Sequence, residues 1–245
     1  MSLSVAVVTS TQGRSTICQA IESVRAQTYK GKVRHYVFAH GQPHHAKVEA
    51  ILDDDYPSVE AVYLPNANGG GGLAMAPVFA AAPYIVDEDV MFFLDDDNWY
   101  EPDHIESLVD MIEENSLAWA YSLRKIVDAD GTFICDDNCE SLGMHFNATN
   151  HYLVDNSCYA VRTAIARQHS HAWYVPVVSD RNFQRVLMQS RLTAGTTGKH
   201  SVNYRLSPDG SGGMSKETFI GNNDYMKYRH PDFPELWAHK QIFKY

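Results

Sequence analysis

Three consecutive carboxylates, Asp95, Asp96 and Asp97, directly follow the apolar run VMFFL in the sequence. An apolar run of this length predicts a buried strand, so the three side chains stand where a strand ends. Adjacent negative charges repel one another, and water, a basic side chain or a metal ion must offset them. Carboxylate oxygens with room for water suit Mg²⁺ or Mn²⁺, which commonly bridge to a phosphate group.

A calcium-binding loop or a solvated turn could also account for the triplet. An EF-hand loop beginning at Asp95 would need a ligand at its fifth position and glycine at its sixth. The chain has Trp99 and Tyr100 there, which excludes the calcium loop. A solvated charged turn accounts for the triplet equally well when the triplet is taken alone. Only its position in the fold favours a binding site.

Short β-branched runs alternate with helical segments along the first part of the chain. This alternation predicts an α/β fold with a mostly parallel, Rossmann-like sheet flanked by helices. Ligands bind beyond the carboxyl ends of the strands in such sheets, and the triplet lies at one of these ends. The strands are predicted at residues 4–10, 33–40, 59–65 and 89–94.

Helical periodicity marks the segments on either side of the triplet. Apolar residues recur on one face of a helix after the first strand and of another after the triplet. Residues 118–136 resemble a hairpin with an Asp-Gly turn. Because no linker, repeat or low-complexity tract interrupts the sequence, we predict a single domain over residues 1–245. The two apolar faces consist of Ile17, Ala20, Ile21 and Val24, and of Ile105, Leu108, Val109 and Ile112.

The composition argues against several functional classes. The chain has a net charge of −10 and a sequence pI of about 5.6, so we do not expect nucleic acid as a partner. Its four cysteines lack the spacing of a disulfide scaffold, which favours free thiols in a reducing compartment. No apolar run approaches the ~20 residues of a membrane span. The first residues do not resemble a signal peptide, and we therefore expect a cytoplasmic protein.

Three segments together resemble the glycosyltransferase family 2 group of the GT-A fold. They are GRSTICQAIESVRAQTY after the first strand, a glycine-rich stretch before an alanine-rich helix, and LDDDNWYEPDHI. The resemblance runs from about residue 4 to about residue 110 and continues weakly to about residue 206. It implies a nucleotide-sugar donor, a UDP-sugar, whose diphosphate is held by Mn²⁺ or Mg²⁺. It also implies a nucleotide-sugar-binding half, residues 1–115, and an acceptor-binding half, residues 116–245.

The resemblance assigns separate roles within the triplet. Asp97 would bind the metal ion, and Asp95 would face the ribose or a metal-bound water of the donor. Asp96 would be the variable middle residue on the donor side. The chemistry agrees with these roles, because a cation offsets the negative charge that develops on a departing diphosphate.

Asp180, at the start of the segment SDRNFQRVL, matches the position of the family's general base. It would take the proton of an acceptor hydroxyl, and Arg181 would orient it or meet a phosphate. An aspartate before an amphipathic helix is also a common N-cap. The same residue can therefore have a purely structural role, and the catalytic and structural roles are compatible.

Further donor-side residues follow from the resemblance. His200 is the match for a late histidine that adds a metal ligand, and Lys199 and Arg205 would serve the diphosphate. Thr9 and Arg14 stand at the end of the first strand, where the family's nucleotide-binding residues lie.

Two positions depart from the family pattern. Ala39 and His40 stand where an acidic pair usually follows the second strand, and the uracil contact made there is missing. Met75 stands where the helix after the glycine-rich stretch usually has an arginine, which removes a phosphate contact. These departures concern donor identity rather than the predicted metal–diphosphate centre.

Together these residues predict a metal-dependent, inverting glycosyltransferase that acts on an acceptor hydroxyl, with a glycan as the expected acceptor. A nucleotidyltransferase on a similar sheet would also use paired aspartates and a metal ion. It should have a basic, glycine-rich first strand–helix turn, in which TSTQGRS is poor. A sugar-binding protein that retained the fold without catalysis is the second alternative. Metal-dependent hydrolysis of a donor would separate both enzymes from the binding protein.

Overall fold

A computed structural model describes residues 2–52, 56, 58–67, 75–174, 178–207 and 213–244 of the chain. These residues form ten strands and seven α-helices, joined in places by short 3₁₀ turns. The helices are α1 (Ile17–Arg25), α2 (His45–Leu52), α3 (Met75–Ala81), α4 (His104–Asn115), α5 (Thr163–Gln168), α6 (Ser179–Gln189) and α7 (Lys216–Arg229). The strands are β1 (Val5–Thr11), β2 (Val33–His40), β3 (Val59–Leu64), β4 (Val90–Phe93), β5 (Trp99–Tyr100), β6 (Trp119–Val127), β7 (Phe133–Asp136), β8 (Tyr159–Arg162), β9 (Ala194–Arg205) and β10 (Gln241–Phe243).

One sheet contains strands from both predicted halves of the chain, in the order β10-β9-β6-β8-β4-β1-β2-β3. β1 pairs in parallel with β2 and β4, β2 pairs in parallel with β3, and β6 with β9. The remaining pairs are antiparallel, including β4 with β8. The predicted α/β class with a sheet flanked by helices is confirmed. The structure adds that the parallel strands are concentrated in the first half, where helices connect them.

The predicted helix faces pack against this sheet. Every one of the eight apolar residues predicted on the two faces is buried, on α1 in the first case and on α4 in the second. Burying an aliphatic side chain stabilises the folded state by about 1.5–3 kcal/mol, so these faces fix the helices to the strands. The predicted hairpin is β6 with β7, and Gly131 in its turn has a φ of 88°, which glycine adopts without strain.

An aromatic cluster supports the end of β4, where the aspartate triplet begins. Phe93, the last residue of β4, packs against Phe79 of α3 at a ring-centroid distance of 4.9 Å and against Trp173 at 5.4 Å. Trp173 in turn stacks on Phe183 of α6 at 4.4 Å. The cluster therefore links β4 to α6, the helix that carries Asp180.

The described helices include none that is long and apolar enough to cross a membrane. The four cysteines carry free thiols, and Cys139 and Cys158 are buried.

Candidate active site

The segment from Leu94 to Asn98, which we call the Asp loop, connects β4 to β5 at the carboxyl ends of the parallel strands. The Leu94 N–H donates to the Val8 carbonyl oxygen at 2.9 Å, so the loop leaves the sheet beside β1. Asn98 Nδ2 donates to Ser157 Oγ at 3.2 Å, and Asn98 Oδ1 accepts from the Arg205 N–H at 3.0 Å. Both halves of the chain therefore hold the loop.

Asp96 is the most enclosed carboxylate of the triplet, with 7% of its surface exposed. Thr11, the last residue of β1, donates its hydroxyl to Asp96 Oδ2 at 2.7 Å. Burial raises the pKa of Asp96 to about 6, although the Thr11 hydrogen bond acts in the opposite direction. The middle residue of the triplet thus fastens the Asp loop to β1.

Asp97 points to a more open environment and meets Arg14. Arg14 Nη1 lies 2.8 Å from Asp97 Oδ2 and 3.5 Å from Asp96 Oδ1. Burial raises the pKa of Asp97, and the Arg14 charge partly lowers it. The structure therefore brings the predicted donor residue Arg14 to the predicted metal ligand Asp97.

Asp95, Asp155 and Asp180 share one negative environment. Burial raises the pKa of Asp95 well above its ordinary value, and the charge of Asp155 is the next largest cause. Burial also raises the pKa of Asp180, and Asp155 adds to this, although the Arg181 N–H bound to the carboxylate opposes it. A carboxylate with a raised pKa accepts a proton more readily, as a general base must.

Asp180 lies in the first turn of α6 rather than at its N-cap. The helix begins at Ser179, and the N-cap position is Val178, whose φ is 63°. Asp180 Oδ1 accepts the N–H of the following residue, Arg181, at 2.7 Å. The carboxylate accepts one of the free N–H groups at the helix start and so contributes to capping, although Asp180 is not the N-cap residue. Its second oxygen has no hydrogen bond among the described residues, so the carboxylate retains capacity to accept another.

A buried arginine cluster, formed by Arg124, Asp137, Glu140 and Asp155, lies behind this environment. Arg124 Nε donates to Asp137 Oδ2 at 2.7 Å, and the two terminal nitrogens bind Glu140 and Asp155. Asp155 Oδ1 also accepts the N–H of Ser157 at 3.0 Å, and Ser157 Oγ accepts the Asp95 N–H at 3.3 Å. The cluster therefore connects β6 to the Asp loop through two residues.

Our sequence predictions missed this cluster, although one signal was present. Arg124 stands in the otherwise largely apolar strand AWAYSLRKIV, and a charged side chain in a buried strand must have partners. Asp137 is fully buried and also accepts the N–H groups of Glu140 and Ser141 at 2.8 and 3.0 Å. Burial raises the pKa of Asp137, but Arg124 and these bonds lower it below the ordinary value. This carboxylate stabilises the fold and is unsuited to act as a base.

The structure places Thr9 away from the predicted donor site. Its hydroxyl is fully buried and lies 2.9 Å from Nε2 of His35 on the neighbouring strand. β1 continues for two residues beyond Thr9, roughly 6–7 Å along the strand, so Thr11 rather than Thr9 stands at the strand end on the same face. Thr11, at the actual strand end, contacts the Asp loop through Asp96, whereas Thr9 is predicted to bind the nucleotide donor.

The structure also separates Lys199 and His200 from the Asp loop. Both lie in the middle of β9, six and five residues before Arg205, which corresponds to roughly 16–20 Å along a strand. Lys199 binds Asp103 at 2.7 Å. The His200 ring is close to Asp136 and Asp137, and its pKa is lowered because burial outweighs their charges. Among the described residues neither side chain contacts the Asp loop, and their diphosphate and metal roles stay predictions.

Arg205 does reach the Asp loop, but as a brace. Its Nε donates to the Asp97 carbonyl oxygen at 3.0 Å, its Nη1 donates to the Ala129 carbonyl oxygen at 2.7 Å, and Nη2 binds Gln19. The guanidinium also lies 4.9 Å from the centre of the Trp99 ring. Four contacts fix the side chain, so its first role is to shape the loop rather than to bind a diphosphate freely.

Of the positions that depart from the family pattern, Ala39 and His40 are buried at the end of β2, whereas Met75 is half-buried at the start of α3. Ala39 packs in a small cluster with Ile17 and Val48. His40 is 1% exposed, and neither ring nitrogen has a hydrogen-bond partner among the described residues. The Met75 sulfur lies 3.5 Å from Nδ2 of Asn156. The glycine-rich residues 69–72 that precede Met75 lie outside the described part of the chain.

Asp95 and Asp97 are the residues that could hold a divalent cation. Their raised pKa values reflect burial beside other carboxylates, an environment that a cation would relieve. Within the described ranges, no three Asp, Glu, His or Cys side chains converge as a ready-made ligand set. Mg²⁺ usually takes one or two carboxylates and completes its shell with water and substrate phosphate. The two carboxylates therefore fit a cation whose remaining ligands are water and a substrate phosphate.

Comparison with solved structures shows where this fold occurs. The crystal structure of S. aureus TarS 1-349 in complex with UDP-GlcNAc has a TM-score of 0.64 and 14% identity, over 92% of this chain and 66% of that chain. The complex of TarS 1-349 with UDP has a TM-score of 0.62 and 13% identity, over 96% and 73%. At such low identity the likeness shows a shared fold and confirms the predicted architecture.

Comparison with sequences shows the family. An uncharacterized protein of Haemophilus influenzae is 36% identical over 70 residues, which are 29% of this chain. That match covers 47% of the relative, so the chain aligns with about half of its length. The model of Glycosyl transferase family 2 matches residues 4–171, well over half of the chain. The chain belongs to glycosyl transferase family 2.

Proposed function

We propose that the protein is a metal-dependent, inverting glycosyltransferase that transfers a sugar from a UDP-sugar to a hydroxyl group of a glycan acceptor. The TarS structures with the same fold hold UDP and UDP-GlcNAc, which supports a nucleotide-sugar donor. The observation that carries the proposal is the packing of β4 against α6 through Phe93, Trp173 and Phe183, which sets the Asp loop and Asp180 on adjoining elements. It joins the donor-side loop and the candidate base in one site.

Asp180 acts on the acceptor side. Its raised pKa makes it a stronger base than an ordinary aspartate, so it takes the proton of the attacking hydroxyl. A single displacement needs one base and no protein nucleophile, and it inverts the anomeric centre. Asp180 supplies this base.

Asp97 and Arg14 act on the donor side. The Arg14 side chain is 60% exposed and carries its positive charge to the open edge of the Asp loop, where it meets a phosphate. Asp95 and Asp97 would hold Mn²⁺ or Mg²⁺. When bound, the metal ion offsets negative charge on the departing diphosphate. Asp96 keeps the loop in place through Thr11.

Release of UDP from a panel of UDP-sugars tests the proposal directly. In the presence of Mn²⁺ we expect slow release of UDP with water as acceptor, and faster release when a suitable glycan is added. Excess EDTA should stop the release and added Mn²⁺ should restore it. If no UDP-sugar is bound or cleaved in Mn²⁺, the proposed activity is wrong. Release that persists in EDTA contradicts only the metal dependence.

A nucleotidyltransferase is tested in the same experiment. That enzyme would incorporate labelled pyrophosphate into a nucleoside triphosphate, whereas a glycosyltransferase would not. Incorporation without cleavage of any UDP-sugar would favour the alternative.

A further inference from the structure

A cavity of about 340 Å³ lies between α6 and the segment that leads to Asp155. This volume lies within the range of roughly 300–1,000 Å³ that small-molecule sites occupy. Its two walls continue into the elements that carry Asp180 and Asp155, so the cavity adjoins the candidate active site. The lining residues are His151, Tyr152, Arg181, Arg185, Met188 and Gln189.

The helical geometry of α6 places the cavity on the face of the helix next to the one that carries Asp180. Gln184, one turn after Asp180, is buried and accepts the Tyr159 hydroxyl at 2.7 Å, which identifies the inward face of the helix. Arg181 and Arg185 each follow a residue of that face by one position, a rotation of about 100°. The cavity therefore begins at the residue after the candidate base.

The charged side chains that line the cavity are both arginines, and the Arg181 charge also lowers the pKa of the neighbouring Asp180. Arg181 and Arg185 are exposed, and within the described ranges neither forms a salt bridge with a carboxylate. The Arg185 guanidinium binds the side-chain oxygen of Asn182, a neutral partner. A guanidinium forms strong, directional bonds with phosphate and carboxylate groups.

The opposite wall offers an aromatic surface. Tyr152 stacks on Phe146 with a centroid distance of 4.3 Å, and Phe146 is 49% exposed. A rigid aromatic pair of this kind provides apolar area together with a polar hydroxyl tip. The C–H face of a sugar ring or the carbon chain of a polyol suits such a surface.

We propose that this cavity is the acceptor subsite, and that the acceptor is a sugar or polyol bearing a phosphate or carboxylate group. Arg181 and Arg185 bind the anionic group, and Tyr152 packs against the carbon skeleton. The inference rests on the proposed function, because it requires Asp180 to act on a hydroxyl of the same acceptor. It adds the chemical class of the acceptor, which the family and the fold leave open.

Binding of three matched sugars tests the inference. Glucose, glucuronate and glucose 6-phosphate are titrated into the protein by calorimetry, with Mn²⁺ and UDP present. We expect the two charged sugars to bind about tenfold or more tightly than glucose, because hydrogen bonds to charged groups are the stronger ones. Arg185→Gln should weaken the charged sugars by about tenfold and glucose by less than about twofold. The better of the two charged sugars identifies the preferred anion.

Arg229→Gln is the control, because Arg229 is an exposed arginine in the last turn of α7, far along the chain from the cavity. It should leave all three affinities unchanged. Equal binding of glucose and the charged sugars by the wild type would overturn the inference. So would an Arg185→Gln variant that loses affinity for UDP by the same factor, since the arginines would then serve the donor phosphates.

The proposed function can fail separately in this experiment. UDP is titrated first, without sugars, and cleavage of UDP-sugars is measured on the same preparation. A protein that binds glucose 6-phosphate through Arg185 but neither binds UDP nor cleaves a UDP-sugar contradicts the enzyme assignment, and the cavity is then no acceptor subsite. A protein that cleaves a UDP-sugar but shows no preference for charged sugars keeps its function and loses this inference.

Discussion

Arg124 and Arg14 both pair with carboxylates, but the first is buried and the second is exposed to solvent. Arg124 has 3% of its side chain exposed and binds three carboxylates, whereas 60% of the Arg14 side chain is exposed beside Asp96 and Asp97. Removing one partner of a buried ion pair is strongly destabilising, while an exposed pair contributes about 0–1 kcal/mol. The same pairing is therefore structural at the buried arginine cluster and open to exchange with a ligand at the Asp loop.

Asp155 connects these two regions. It belongs to the buried arginine cluster, yet its charge raises the pKa of Asp95 and Asp180. Arg124 carries one positive charge against three carboxylates, so negative charge remains on the side of the candidate base. The comparison indicates that a carboxylate of the buried arginine cluster, Asp155, raises the pKa of the carboxylates in the candidate active site.

The largest effect is expected from Asp180→Asn. Asparagine satisfies a helix-start N–H about as well as aspartate but cannot take the proton of a hydroxyl. Transfer should fall ~10²–10⁴-fold, the usual contribution of a general base. Initial rates of UDP release with acceptor measure the loss, and a melting curve checks the fold. A variant that retains more than about a tenth of wild-type transfer would falsify the assignment of the base.

Replacing each arginine by methionine compares the two regions directly. Arg124→Met leaves three enclosed carboxylates without their partner and should lower the free energy of unfolding by about 3–5 kcal/mol. Arg14→Met should change it by less than about 1 kcal/mol. Urea unfolding at neutral pH measures both. Similar losses in the two variants would show that burial does not distinguish these pairs.

Asp97→Asn should remove the metal-dependent part of UDP binding. UDP at about 100 times its Kd stabilises a protein by about 2.7 kcal/mol, and we expect most of this gain to require Mn²⁺. Thermal shifts with UDP, with Mn²⁺ or with EDTA, measure it. Asp96→Asn is the matched variant and should keep the gain, since the amide oxygen of asparagine can still accept the Thr11 hydroxyl. Equal behaviour of the two variants would exclude separate roles within the triplet.

The smallest effect is a change in pH dependence. The charge of Asp155 raises the pKa of Asp180, so Asp155→Asn should lower that pKa. A base is active when deprotonated, and the acidic limb of kcat/KM should therefore move to lower pH, by less than about one unit. Asp224→Asn, a change on α7 away from the candidate base, is the control. A limb that stays in place would show that Asp155 does not act on the base.

Much of the fold could be predicted from local patterns in the sequence. The helix faces of α1 and α4, the hairpin of β6 and β7 and the apolar strand before the triplet all depend on neighbours within a few residues. The triplet could be placed at a strand end for the same reason. Asp180 and Arg14 required the family resemblance, because a single aspartate or arginine has no pattern of its own.

Periodicity does not encode where a strand ends or how far it runs. Thr9 is predicted at the end of β1, but the strand continues for two residues to Thr11, whose side chain lies on the same face. Lys199 and His200 lie in the middle of β9, and no local pattern in the sequence encodes how far that strand runs before Arg205. The buried arginine cluster joins residues 13 to 31 positions apart, and only the folded chain brings them together.

The brace formed by Arg205 has a consequence for synthesis of the protein. Its bonds to Asn98, Asp97 and Gln19 span 107, 108 and 186 residues. Loops of this length close slowly, and contacts between distant residues form late in folding. A nascent chain emerges from the ribosome from its N-terminus, so the aspartates leave the exit tunnel long before their brace exists. Donor affinity should therefore appear only after β9 has been made.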